Sequence, residues 1–150
     1  MGRVVATDLA ERADATRTVE LAGSVSSVPE ARHIVRDDLV RRRVPPTVID
    51  NALIVVTELV SNAILHAEPL SMAGSSAGVV LRWSVADHHV FVDVTDGGGD
   101  DLPQQKLAAP VETAGRGLAI VDAVASHWTV QVDAGQVTVH AVVGPWEAGR

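Results

Sequence analysis

Glu58-Leu59-Val60-Ser61-Asn62-Ala63-Ile64-Leu65-His66-Ala67 closes the strongest periodic signal in the chain. Ile49, Leu53, Val56, Val60 and Ala63 recur at steps of three and four, the spacing of one face of an α-helix. The pattern predicts a helix capped by Thr47 that runs to about Ala67, with Pro69 ending it. Glu58, Asn62 and His66 fall four residues apart and share a second stripe, offset from the apolar one, with Asn51 on the same side. A polar stripe on a helix is by default a solvated face, so it needs support from elsewhere to count as a site.

Working outward, Arg17 to Ala22 alternates polar and apolar residues and reads as a first strand. A helix then opens at Val28-Pro29-Glu30 with Ser27 as its N-cap. Ala31, Ile34, Val35 and Leu39 stripe it to about Arg42, and Pro45-Pro46 separates it from the long helix. After the small-residue loop Ser71 to Gly78, the segments Val79 to Ala86 and Val90 to Thr95 form a hairpin turning at Asp87-His88-His89. Asp96 to Ala114 shows no period, and a loop that long in a small domain is often a lid or a binding segment. Gly115 to Ser126 reads as a helix. Trp128 to Val132 and Gln136 to Val143 form a last hairpin around Ala134-Gly135. The order predicts a two-layer α+β sandwich, a mixed sheet of about five strands with helices on one face.

The 150 residues, 47% hydrophobic and 21% charged, suit one globular domain. Residues 1–15 read as a disordered tail before a single domain over 16–150. The absence of cysteine excludes disulfides and thiolate metal sites and fits a cytoplasmic location. No apolar run of the length a membrane span needs is read from the sequence, and Met1 to Ala15 has no signal-peptide core. The net charge of −7 argues against nucleic-acid binding. The one basic run, Arg41-Arg42-Arg43, falls at a helix end, where positive charge complements the helix dipole.

Two further motifs carry chemistry. Val92-Asp93-Val94-Thr95-Asp96-Gly97-Gly98-Gly99 places an acid at a strand end and then glycines. The acid can accept a hydrogen bond from an exocyclic amine such as that of adenine, and the glycines let a ligand reach the backbone. Gly115-Arg116-Gly117-Leu118 opens a helix, whose free N–H groups and positive potential suit phosphate. Other motifs fail on context. Gly74-Ser75-Ser76-Ala77-Gly78 matches a nucleophile elbow in spelling, but a helix precedes it and a strand follows. Lys106 is followed by Leu107, which excludes a P-loop, and Ile120 replaces the third glycine of a dinucleotide fingerprint. His88 and His89 point apart and form no metal site.

In this order, the three motifs resemble the conserved boxes of the GHKL ATPase superfamily, the Bergerat ATP-binding fold. The spelling is most similar to the anti-sigma-factor serine/threonine kinases of actinobacterial type. The resemblance implies ATP and Mg²⁺ as ligands. Asn62 would hold the metal and Glu58 would be the catalytic base, with His66 near the phosphates. Asp96 and Gly98 would bind adenine, and Gly115, Arg116, Gly117 and Leu118 the triphosphate. Asp100 stands where the family carries a second glycine, and Gly135-Gln136 where it often has Gly-Lys. The implied partners are an anti-sigma-factor antagonist protein, a sigma factor, or a second copy of the chain, with no nucleic acid and no membrane. Keeping Glu58 and Asn62 favours a kinase. Asp100 leaves room for a non-catalytic module that sequesters a sigma factor around a degenerate nucleotide site.

Overall fold

The long helix is the centre of the molecule. A computed structural model describes residues 16–66, 78–97 and 116–147. Three helices and five strands follow in the order β1 (Arg17–Leu21), α1 (Ser27–Arg41), α2 (Pro46–His66), β2 (Val79–Ala86), β3 (His89–Asp96), α3 (Arg116–Val124), β4 (His127–Asp133) and β5 (Gln136–Val143). In α2 the predicted face, Ile49, Leu53, Val56, Val60 and Ala63, is buried, and so are Ala52, Val55 and Leu59. The helix is wrapped by the sheet on one side and by α1 and α3 along its flanks. That encirclement corrects the reading that no segment could span a membrane. Pro46–Leu65 is long and apolar enough by composition, because a central core helix must be apolar nearly all round.

The sheet order is β1-β2-β3-β5-β4. The predicted five strands and the helices on one face are present, but each neighbouring pair is antiparallel where a mixed sheet was expected. The crossover through α3 does join two strands of the same direction, β3 and β4. The final hairpin slots β5 between them, so they never pair. Cross-strand rows face the helices: Trp83, Val92, Ala141 and Trp128 in one, Leu81, Val94, Val139 and Val130 in the next. Full burial of the Leu81, Val92 and Val94 side chains is worth roughly 1.5–3 kcal/mol each. The opposite face mixes apolar residues such as Phe91 and Val142 with polar ones. Thr95 and Thr138 share a hydroxyl hydrogen bond of 2.8 Å, and His140 bridges Asp93 (Nδ1, 2.8 Å) and Gln131 (Nε2, 2.9 Å). The Asp93 hydrogen bond raises the His140 pKa above its ordinary 6.5, against the opposing pull of burial and of the Arg82 charge.

Element ends differ from expectation for local reasons. Ser26 is the N-cap of α1 and makes no side-chain cap bond. Ser27 lies inside the helix and donates to the Ala22 carbonyl at 2.8 Å. Pro46, not Thr47, begins α2, as its fixed φ and missing N–H allow at a first helical position. Both hairpin loops contain two residues with positive φ, Asp87 (49°) with His88 (61°) and Ala134 (54°) with Gly135 (82°), the geometry that matches strand twist. His89 therefore belongs to β3 and not to the turn. At the start of β2, Gly78 donates its N–H to the Leu21 carbonyl at 2.7 Å. A Cβ there would lie 2.6 Å from Gly23 backbone atoms, so the crossing of the two chain segments needs glycine.

The basic run ends α1 in an unexpected way. Arg42 Nε–H donates to Asp38 Oδ2 at 2.8 Å, and Arg17 and Arg41 approach the other oxygen at 3.4 and 3.6 Å. Trp83 Nε1–H completes the set at 2.9 Å. Burial alone would raise the Asp38 pKa. The Trp83 hydrogen bond and the charges of Arg42 and Arg17 outweigh it and hold the pKa below the ordinary 3.8. One carboxylate thus fastens α1 to β1 and β2. Arg43 adopts φ 62° as the residue that stops the helix. Its N–H reaches Val40 O at 3.0 Å, and that of Val44 reaches Leu39 O at 3.1 Å, the paired closure of a left-handed helix end.

Candidate functional site

The last turns of α2 bring Asn62 beside the end of β3. The same 3.6-residue repeat that points Leu59 and Ala63 inward leaves Asn62 at the margin, half-buried. Asp96 is the last residue of β3. Its even position shares the helix-facing side with Val90, Val92 and Val94, which explains its 5% exposure. Leu118 lies in the first turn of α3 and packs into the core with Val121.

These residues converge on one cavity. Leu59, Asn62 and Ala63 of α2, Val94 and Asp96 of β3, Leu118 of α3, Val130 of β4, and Val137 and Val139 of β5 line it. Its walls are apolar except at Asn62 and Asp96. An ionised carboxylate only accepts hydrogen bonds, whereas an amide both donates and accepts. The lining therefore offers apolar surface and, at its polar edge, an acceptor for an amine donor. Among the described residues no buried side-chain nitrogen or oxygen lacks a partner, and Asp96 already has one.

The other expected site residues are distributed as follows. Glu58 is half-buried one helical turn before Asn62 and is not part of the lining. No hydrogen bond or ion pair holds its carboxylate among the described residues. His66 is the last residue of α2, and Arg116 and Gly117 are the first two of α3. Gly98 and Gly115 lie outside the described residues, as does Asp100.

A family model described as the histidine kinase-like ATPase domain matches residues 21–142. The chain belongs to this family. Solved structures share the fold of this histidine kinase-like ATPase domain. The structure of the RsbU and RsbW domains of Rv1364c from Mycobacterium tuberculosis aligns with a TM-score of 0.63 at 20% identity. It covers 86% of this chain, and this chain spans 32% of that one. A chain of the SiaB–SiaC complex from Pseudomonas aeruginosa aligns with a TM-score of 0.62 at 16% identity, covering 95% of both. No curated protein matches the sequence.

Sequence reasoning missed most of this histidine kinase-like ATPase domain's cavity wall. Val130, Val137 and Val139 read only as strand core. Their alternation in Trp128-Val130-Val132 and Val137-Val139-Ala141-Val143 was the available signal, since it fixes which side chains face the helices. It does not say that part of that face borders an opening.

Proposed function

We propose that the domain binds Mg-ATP in the cavity between α2, β3 and α3 and transfers the γ-phosphoryl group to a Ser or Thr of a small antagonist protein, as an anti-sigma-factor kinase does. The observation that carries this reading is the convergence of Asn62, Asp96 and Leu118, drawn from three separate motifs, on one cavity. Asp96 would accept the adenine amine, with the valines and leucines against the ring faces. The start of α3 offers free backbone N–H groups to the phosphates, and Arg116 can add a bidentate contact.

Asn62 fits the metal. Its amide oxygen is a hard ligand, and Mg²⁺ commonly takes few protein ligands alongside phosphates and water. Among the described residues no group of three His, Asp or Glu side chains is placed to hold an ion without such help. Bound there, Mg²⁺ would neutralise charge developing on the phosphates. Glu58 would take the proton from the acceptor hydroxyl as its oxygen bonds to the γ-phosphorus and the bond to the bridging oxygen breaks, releasing ADP. The fold shared with a chain of the SiaB–SiaC complex supports a protein partner.

Calorimetric titration of Mg-ATP tests the site. Saturable binding is expected, weakened by about tenfold or more in Asn62→Ala, in Asp96→Asn and without magnesium. No binding at millimolar ATP would overturn the reading. Transfer of labelled phosphate to a purified antagonist, abolished in Glu58→Ala, then separates a kinase from the second reading, a partner-sequestering module, which Asp100 favours.

A further inference from the structure

α3 is nine residues long, too short to be stable on its own, and it contains Gly117, a poor helix former. What holds it decides where the wall residue Leu118 sits. Two kinds of contact are present. Leu118 and Val121 bury themselves against the core. Apolar contacts of this kind are non-directional and fix a helix's distance better than its orientation. The other kind is directional: just past the helix Ser126 N–H and Oγ–H reach the Val142 carbonyl at 2.8 and 3.0 Å, and on the helix itself Trp128 Nε1–H of β4 donates to Asp122 Oδ1 at 2.8 Å at the exposed surface. Trp128 shares the helix-facing side of β4 with Val130, a cavity-wall residue. One strand therefore contributes both to the wall and to the tether on α3.

We infer that the Asp122–Trp128 hydrogen bond is a latch that sets the orientation of α3 and so holds Leu118 and the start of the helix in register with Asn62 and Asp96. Asp122 and Trp128 are positioning residues, because neither lines the cavity. The effect on nucleotide rests on the ATP-binding reading above, whereas the latch itself does not.

The test is a double-mutant cycle with Asp122→Ala and Trp128→Phe, plus Asp122→Asn, which keeps an oxygen acceptor for the indole N–H. The first readout is hydrogen exchange of the α3 amides Ile120 to Val124, with α2 as internal reference, and it needs no nucleotide. Either single variant is expected to speed α3 exchange roughly fivefold and leave α2 unchanged, the double to do no more, and Asp122→Asn to behave as wild type. Unchanged α3 exchange, additive single effects, or equal acceleration in α2 and α3 would overturn the latch, the last showing general destabilisation. The second readout is Mg-ATP affinity, expected to fall by a similar factor in both single variants. Affinity equal to or tighter than wild type would overturn the positioning role. If the wild type binds no ATP, the functional reading fails and hydrogen exchange alone decides the latch.

Discussion

Asp38 keeps its charge at 4% exposure because one indole N–H and three guanidinium groups surround it. Removing the carboxylate strands the Trp83 N–H and leaves like charges facing one another. Asp38→Ala should therefore lower unfolding stability by about 3 kcal/mol in urea. Its folded pKa lies below the unfolded 3.8. The contribution is thus fully present above about pH 4 and is lost as pH falls through the folded value. Wild type should lose stability faster than Asp38→Asn across that acid range. His140 has the opposite sign. Its folded pKa is raised above 6.5, so its contribution is complete below that value and declines as pH rises through the folded pKa. Urea midpoints taken from pH 6 to 9 should fall more in wild type than in His140→Gln. None of this was readable locally. Asp38 and Arg42 spell an ordinary surface pair four apart, and the burial comes from Trp83, far along the chain.

Two elements carry residues whose backbone a better choice would suit. Arg43 stops α1 at φ 62°, where most helices use glycine. Its side chain is exposed, and the hydrogen bonds that close the helix are backbone ones. Arg43→Gly should raise stability by about 0.5–1 kcal/mol, measured by thermal or urea unfolding. Ala134 at φ 54° precedes Gly135 in the β4–β5 turn. Ala134→Asn would give the Asn-Gly pair this turn prefers and should add about 0.5 kcal/mol. A gain in neither variant would mean the left-handed conformations cost less here than in other proteins. The sequence located the eight elements seen among the described residues, since periods of 3.6 and 2 persist for whole turns and strands. It misplaced ends, because a cap depends on one residue's torsion. Ser27 has a capping side chain but bonds back to Ala22 instead.

At the level of the whole molecule, hairpins were legible and their arrangement was not. Val79 to Ala86 with His89 to Asp96, and His127 to Asp133 with Gln136 to Val143, are local pairings. Which edge the second hairpin offers to the first depends on the crossover through α3, and no spacing encodes it. The same limit applied to the cavity. Asn62, Asp96 and Leu118 were singled out because three motifs in order resemble a known family's boxes, while the valines opposite them were indistinguishable from any core. Because the cavity exists only when the layers are assembled, a bound nucleotide should stabilise the entire fold. Mg-ATP at about a hundred times its dissociation constant should add about 2.7 kcal/mol, seen as a rise in Tm that Asp96→Asn reduces. The insertion of β5 between β3 and β4 also sets a timetable for synthesis. A ribosome that has delivered the chain through α3 has already supplied Asn62, Asp96 and Leu118, yet β3 still has a bare edge and Val130, Val137 and Val139 are missing. The nascent chain has no complete cavity until the last hairpin has emerged and closed that gap, and until then the open edge of β3 is the surface a chaperone would have to guard.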